Sequence, residues 1–288
     1  MRKKIVFRII LAAVILSTLF LITREPRNDR EWEKEIAYTS TGSLEPDGIV
    51  IIKNVRDFTY GDGSVNSMNW IPEVKIPRQD IVRAWFILEP FAAWEAVGHT
   101  FLTLELKDGS AYSFSIEARM EKGEQYSALW GLFRKYELAY TWGTERDFVT
   151  RRLLYLNHPV KMYPLALNTE RAQRLFLALL RKTNEIAEHP RFYNTLTANC
   201  TNMLAEIANE VKPGSIPYNI SWNLPGFSDR FLMKIKYIEV EESKEKTQKK
   251  YDLTEKRKEI LLIATSSYSE FGKELRALIS SPTQSKKL

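Results

Sequence analysis

Short stretches of alternating or continuously apolar residues recur through the middle of the chain and predict a series of β-strands. The turn residues Lys107, Asp108 and Gly109 separate two alternating stretches and predict the clearest hairpin in the sequence. The predicted strands are Gly48–Val55, Asp80–Glu89, Gly98–Leu106, Ser110–Glu117, Tyr136–Trp142 and Val160–Tyr163.

Apolar residues at three- and four-residue spacing predict two helices after these strands. The first spans Asn168–Glu188, and the second begins near Asn199 or Cys200 and stops before Pro213. Strands followed by helices indicate an α+β fold in which an antiparallel sheet packs against helices.

The apolar stretch Ile5–Ile22 is interrupted only by Arg8, Ser17 and Thr18. A helix of this length spans roughly 27 Å, close to the hydrocarbon thickness of a bilayer. No small-residue cleavage site follows it, which favours an uncleaved transmembrane anchor over the core of a signal peptide. The basic run Arg2–Lys4 precedes the stretch, so we expect the N-terminus to lie in the cytoplasm.

These patterns divide the chain into four predicted parts. Residues 1–24 form a basic tip and transmembrane anchor, residues 25–47 a stalk, and residues 48–238 a folded body outside the cytoplasm. Residues 239–288 form a charged tail whose helical segments we expect to be peripheral.

The composition is that of a soluble body, with 44% hydrophobic and 27% charged residues. The net charge of +6 comes largely from clusters near the termini, and no basic stripe interleaved with aromatic residues is present. This argues against nucleic-acid binding, whereas an anionic membrane surface is compatible with the charge. Phosphate-binding and dinucleotide-binding motifs are absent, and the single cysteine and three separated histidines predict no metal and no cofactor.

Cys200 is the only cysteine, and it lies at the predicted start of a helix. The helix dipole there favours the thiolate, which is the nucleophilic form of cysteine. The alternative interpretation is a small buried apolar residue. The preceding Asn199 either helps to form an oxyanion site or only caps the helix.

The predicted hairpin gives His99 a partner. If Lys107–Gly109 closes the hairpin, the numbers of paired residues sum to about 216, which places His99 opposite Glu117, with Ser115 on the same face. A shift by one residue would place Ile116 opposite His99 instead. The carboxylate would fix the tautomer of a histidine that acts as a general base.

Other interpretations of these residues stay open at this point. His99 is equally consistent with a hydrogen-bonded core histidine, and Glu117 with an ion pair to Arg119 or Arg146. His158 and His189 precede prolines and look like turn residues. The run Glu145, Arg146 and Asp147 is more typical of a structural charge network than of a reactive site.

A histidine on a strand, a polar partner on the next strand and a cysteine at the start of a later helix resemble the circularly permuted branch of the NlpC/papain-like superfamily. The lecithin:retinol acyltransferase-like proteins belong to that branch. The resemblance rests on Gly98-His99, the hairpin and Asn199-Cys200. It implies a thiol enzyme with a circularly permuted NlpC/papain-like fold.

A closer resemblance extends from Ile49 to Leu224, and its most specific part is the sequence FYNTLTANCT over residues 192–201. It is similar to the bacterial family named for the N-terminal periplasmic domain of Lnb, a lipoprotein N-acyltransferase. The resemblance implies an envelope protein with a cysteine-dependent acyl-transfer or hydrolytic site. The other matching segments are NVRDF (54–58), SIEAR (115–119), YEL (136–138) and TERD (144–147).

Together these observations predict a periplasmic papain-like catalytic domain held at the bacterial inner membrane by one span. Cys200, His99 and Glu117 would act on an ester or amide near the membrane, such as a lipid or lipoprotein acyl group or a cell-wall peptide. The first alternative is a non-catalytic envelope module that binds lipid or a partner protein. The second is a purely structural envelope protein in which Cys200 is inert.

Overall fold

The computed structural model describes residues 4–8, 11–12 and 23–281, and within them ten strands are found. The strands are β1 (Thr41–Leu44), β2 (Ile49–Arg56), β3 (Thr59–Gly61), β4 (Ser64–Ser67), β5 (Trp70–Pro77), β6 (Ile81–Pro90), β7 (Gly98–Leu106), β8 (Ala111–Arg119), β9 (Glu137–Thr144) and β10 (Lys161–Pro164). An eight-stranded sheet runs in the order β1-β2-β9-β8-β7-β6-β10, with β5 paired to β2, while β3 and β4 form a small separate hairpin.

The sheet is mixed, whereas the sequence predicted an antiparallel one. The exception is a single parallel pair, Arg56↔Gly143, where the end of β2 meets β9. A side chain at position 143 would place its Cβ 2.9 Å from the carbonyl oxygen of Arg56, so glycine permits this close approach. The other pairings within the sheet are antiparallel.

Within residues 24–281, seven α-helices follow or flank the strands. They are α1 (Glu145–Thr150), α2 (Thr169–Glu188), α3 (Cys200–Val211), α4 (Ser228–Lys234), α5 (Lys244–Lys250), α6 (Arg257–Ile263) and α7 (Tyr268–Ser280). A single π-helical turn, Arg151–Tyr155, continues α1. The α+β class, the six predicted strands and the two predicted helices are therefore confirmed, with ends shifted by a few residues.

Neighbouring side chains on a strand point to opposite faces of the sheet. In the central strands both sets of side chains are apolar, so both faces can pack against helices. Phe86, Leu102 and Phe114 lie on one face and pack with α2 and α3. Ile87 and Phe101 lie on the other and pack with a second set of helices.

The C-terminal tail is part of that second layer, so the expectation of a peripheral tail was wrong. Ile260 of α6 and Phe271, Leu275 and Ile279 of α7 are buried in the same cluster as Phe101. The apolar stripes of these helices need a partner surface, and the second face of the sheet provides it.

The segment 25–47 also packs on the body instead of extending away from it as a stalk. Trp32 and Ile36 are buried, and β1 adds an edge strand to the main sheet. Buried apolar surface and strand pairing hold this segment in place.

Arg119 of β8 joins this segment to the sheet. Its guanidinium donates to the carbonyl oxygens of Ile36 and Ala37, each at 3.0 Å, and to the hydroxyl of Thr39 at 2.9 Å. It also lies 4.4 Å from the ring centroid of Trp32. Burial lowers the pKa of Arg119 to about 10, although the charge of Glu137 opposes the shift.

The predicted anchor Ile5–Ile22 lies largely outside the described residues. Within residues 4–8, 11–12 and 23–281, no helix combines the length and apolar character needed to cross a membrane. The division of the chain into anchor, catalytic body and tail stays a prediction.

Replacing Arg119 with methionine should detach segment 25–47. The variant leaves the carbonyl oxygens of Ile36 and Ala37 without this donor, so we expect a loss of about 3 kcal/mol in the free energy of unfolding. Urea denaturation measures this loss, and limited proteolysis should cut within residues 25–47. Arg78→Met, which changes an exposed arginine, is the control. Equal stability of the two variants would contradict the assigned role of Arg119.

Candidate active site

The cysteine lies at the first position of α3, and Asn199 caps this helix. The Asn199 side chain accepts from the backbone N–H of Asn202 at 2.9 Å, and the Asn202 side chain accepts from the backbone N–H of Asn199. The amide nitrogen of Asn199 donates to the carbonyl oxygens of Thr195 and Trp222. Because both ends of its amide are engaged, Asn199 serves as a cap here and has no donor directed at a reacting oxygen.

The hairpin has the predicted register. Phe101 pairs with Ser115 and Thr103 pairs with Ser113, as a sum of 216 requires. The ladder ends at Phe101↔Ser115, so His99 has no ladder partner on β8 and pairs only with Glu89 of β6. Strands β7 and β8 therefore separate at the end where His99 lies.

His99 nevertheless meets Glu117 through its side chain. Nε2 of His99 lies 3.4 Å from Oε1 of Glu117 and 2.8 Å from the hydroxyl oxygen of Ser115. Ser115 donates its proton to Glu117 at 2.6 Å, so the N–H at Nε2 donates to Ser115. Nδ1 is then the ring nitrogen left for the sulfur.

Sequence reasoning placed Ser115 on the correct face but gave it no role. The sequence did contain a signal for this role. Ser115 lies two residues before Glu117 on the same strand face, which places its hydroxyl between the Glu117 carboxylate and His99.

The electrostatics favour a thiolate–imidazolium pair. Burial opposes the charged form of Cys200, but the charge of His99, a hydrogen bond with it and further hydrogen bonds with Thr100 lower the thiol pKa below its ordinary value. Burial likewise opposes the charged form of His99, yet the charges of Glu117 and Cys200 raise its pKa to about 10. The two shifts have opposite sign, as expected when each charge stabilises the other.

A second layer of charge lies behind Glu117. Nη2 of Arg152 is 3.3 Å from Glu117, and Nε of the same guanidinium is 2.7 Å from Glu89. Glu89 in turn contacts Nδ1 of His158 at 2.7 Å. Despite burial, which acts in the opposite direction, His99 and Arg152 hold the pKa of Glu117 well below its usual range.

The partner of Glu117 was therefore not one of the two arginines considered from sequence. Arg119 binds the segment 25–47, and Arg146 pairs with Asp57 at 2.9 Å. Arg152 lies on the π-helical turn after α1, and its contact with the hairpin depends on tertiary packing that residue spacing does not reveal.

The run Glu145–Asp147 forms ion pairs away from the sulfur, as expected for a structural network. Asp147 binds Arg56 through two contacts of 2.8 Å, and Glu145 binds Arg276 at 2.6 Å. The described part of the chain contains no group of histidine, cysteine and carboxylate side chains arranged to hold a metal ion.

The pKa shifts predict an unusual pH dependence for alkylation of Cys200 by iodoacetamide. Since the thiol pKa is lowered, labelling should persist below the pKa of about 8.5 that is typical of a free cysteine and should fail only when pH falls through the lowered value. In His99→Gln, burial is no longer opposed by the imidazolium, so the thiol pKa should rise. The labelling rate at pH 6.5 should fall roughly 30-fold or more.

His189→Gln is the matched control, because His189 is exposed and lies at the end of α2. It should leave the labelling profile unchanged. A wild-type profile with a midpoint above 8.5, or one that His99→Gln does not move, would show that the two groups are uncoupled.

Comparison with known proteins gives one match. The family model described as the Lnb N-terminal periplasmic domain matches residues 67–223, more than half of the chain and including both His99 and Cys200. No curated protein and no solved structure matches the chain. The match was expected from the segment around Cys200, and the chain belongs to the family of Lnb N-terminal periplasmic domains.

Proposed function

We propose that the protein is a cysteine-dependent acyltransferase or hydrolase that acts on acyl esters or amides of membrane lipids or lipoproteins at the periplasmic face of the inner membrane. The observation that carries this proposal is the Cys200–His99 pair, in which the imidazole is held from its far side by Ser115 and Glu117. The order of a histidine strand before a cysteine helix is also that of a permuted NlpC/papain-like thiol enzyme.

In the first half-reaction the Cys200 thiolate attacks the acyl carbonyl carbon, and a C–S bond forms. The bond from this carbon to the leaving oxygen or nitrogen breaks, and the His99 imidazolium donates its Nδ1 proton to the leaving group. The products are a thioester on Cys200, a neutral imidazole and a free alcohol or amine.

In the second half-reaction the neutral imidazole accepts a proton from water or an acceptor amine as that nucleophile attacks the thioester. The C–S bond breaks, the thiolate leaves, and the acyl group departs as an acid or amide. The imidazolium is restored, so one His99 proton cycles and no external acid or oxidant is needed.

The start of α3 provides donors for the negative oxygen that forms during each attack. Cys200 and Thr201 occupy the first turn of α3, where backbone N–H groups have no partner within the helix. These N–H groups and the positive end of the helix dipole would stabilise an oxyanion beside the sulfur.

The loops around the site favour a substrate that lies in a membrane. Leu129, Trp130 and Leu196 expose 62%, 57% and 52% of their surface, which is costly in water but favourable at a lipid interface. The loops that carry them are joined, because the Thr195 hydroxyl donates to the carbonyl oxygen of Ala128 at 2.6 Å. We define Leu129, Trp130 and Leu196 as the apolar rim.

A membrane location also fits the N-terminal sequence. The apolar stretch Ile5–Ile22 would tether the domain as a single-pass anchor, with the basic residues Arg2–Lys4 on the cytoplasmic side. The tether would hold Cys200 and the rim near the bilayer and raise the effective concentration of lipid substrate.

Acylation of Cys200 is the direct test. The full-length protein, incubated with phospholipid vesicles whose acyl chains carry a heavy isotope, should gain the mass of one acyl group, and hydroxylamine should remove it. Cys200→Ser should give no such thioester, and His99→Gln should acylate roughly 10²- to 10⁴-fold more slowly. His189→Gln is the control and should match the wild type.

A wild-type protein that shows an ordinary thiol pKa and no adduct with vesicles or with soluble thioesters would defeat the proposal. If it still bound the vesicles, the non-catalytic lipid-binding module would be the correct interpretation.

The apolar rim should matter only for substrates in a bilayer. Leu129→Ser/Trp130→Ser should reduce binding to vesicles about tenfold or more, because two exposed apolar side chains lose their lipid contact. Its reaction with a soluble acetyl thioester should stay within about twofold of the wild type. Leu261→Ser/Leu262→Ser on α6 is the matched control, since Leu262 is 78% exposed. Equal vesicle binding by both double variants would exclude the rim as a membrane contact.

A further inference from the structure

We infer that a pocket along α3 is the subsite for a single fatty acyl chain, with the ester end beside the start of the helix and the alkyl chain running toward its C-terminus. This inference rests on the proposed function and names the substrate class of the same site. The pocket lies between α3, the apolar face of the sheet at Phe86 and Leu102, the start of α2 and α4.

One face of α3 lines the pocket over its full length. Thr201, Leu204, Ala205, Ala208 and Val211 lie at positions i, i+3, i+4, i+7 and i+10 of the helix, and all belong to the pocket wall. Thr201, Leu204 and Ala205 are buried, whereas Ala208 and Val211 are half-buried, so this wall is more enclosed near the start of the helix than near its end.

The length of this face suits a medium-length acyl chain. From Thr201 to Lys212 the helix rises about 16 Å at 1.5 Å per residue. Carbon–carbon bonds of roughly 1.5 Å in a zigzag advance about 1.3 Å per methylene, so an extended chain of about twelve carbons covers the same distance. Ala205 and Ala208 leave the room that larger side chains would fill.

Two polar atoms in the wall point to an occupant with an acceptor oxygen. The Ser221 hydroxyl and the indole N–H of Trp222 are buried and have no hydrogen-bond partner in the described structure. Ser221 is only 1% exposed. Buried donors left unpaired are costly, at roughly 1–3 kcal/mol each, so an ester or carboxylate oxygen at this place would be favoured.

These donors lie at the end of the pocket that adjoins the nucleophile. The carbonyl oxygen of Trp222 accepts from Asn199, the cap residue directly before Cys200. Thr201 lines the pocket, and its hydroxyl oxygen is 3.8 Å from the sulfur of Cys200. The polar end of a bound chain therefore lies beside the sulfur.

The open end of the pocket carries Arg171 and Lys212. Lys212 is exposed and Arg171 half-buried, and neither side chain takes part in an ion pair in the described structure. Their charged groups can remain hydrated while their aliphatic stems extend the apolar wall. Water can hydrate these two cations, whereas the buried donors of Ser221 and Trp222 at the other end need a ligand oxygen. This difference sets the orientation of the bound acyl chain.

The test compares esters that differ only in chain length. The wild-type protein should be acylated by p-nitrophenyl dodecanoate much faster than by p-nitrophenyl acetate. Ala208→Trp places a bulky ring across the middle of the pocket and should lower the dodecanoate-to-acetate rate ratio about 100-fold, because roughly half of the alkyl chain loses its apolar contact. A circular-dichroism spectrum and a urea midpoint like those of the wild type show that the variant is folded.

Ala277→Trp on α7 is the matched control, since Ala277 is exposed and lies on the other layer of the protein. Ser221→Ala is a second variant, which removes an unpaired hydroxyl and leaves the fold intact. It should weaken dodecanoate binding about fivefold to tenfold.

Calorimetric titration of the Cys200→Ala protein with dodecanoate separates the pocket from the chemistry. Binding that Ala208→Trp abolishes supports the pocket even if no ester reacts, in which case only the proposed function fails. Acylation by all chain lengths at equal rates, together with no binding of dodecanoate, would overturn the pocket and leave the thiol chemistry intact.

Discussion

The meeting of Cys200 with His99 depends on the point at which the β7–β8 ladder ends. His99 shares a strand face with Phe101, which packs in the layer of α1, α6 and α7. Cys200 begins α3, which packs on the opposite face. A ladder continued to the end of both strands would place the sheet between the two side chains. Because it stops at Phe101↔Ser115, the imidazole and the sulfur can interact at the separated strand ends.

The charges around this opening alternate in sign, and this alternation makes their burial tolerable. The thiolate of Cys200 is followed by the His99 imidazolium, the Glu117 carboxylate, the Arg152 guanidinium and then Glu89. An isolated buried charge costs several kcal/mol, whereas each of these has an opposite charge as its neighbour. The π-helical turn that carries Arg152 is thus a structural support of the site, although it lies far from it in sequence.

The sequence allowed prediction wherever local periodicity decides the structure. Strand alternation gave β6 to β9, and turn chemistry gave the hairpin register that places His99, Ser115 and Glu117 on one face. Strand β5 was not predicted, because Pro72 and Pro77 interrupt the alternating pattern expected of a strand. The structure tolerates these prolines because β5 lies at an edge of the sheet and pairs only with β2. Arg152 and the packing of the C-terminal helices depend on contacts between distant segments, which spacing along the chain does not encode. That the Ser221 hydroxyl lacks a hydrogen-bond partner could not be predicted for the same reason.

Helix α3 combines the two properties on which the proposed chemistry depends. Its N-terminus supplies the sulfur, the backbone N–H groups of the first turn and the positive end of a dipole. Its apolar face forms the wall of the pocket. Since both belong to one rigid element, the distance from the sulfur to any position along the pocket is fixed by the rise of the helix. Under the proposed function, the side chain at position 205 or 208 would therefore set how much of an acyl chain fits, without altering the Cys200–His99 pair.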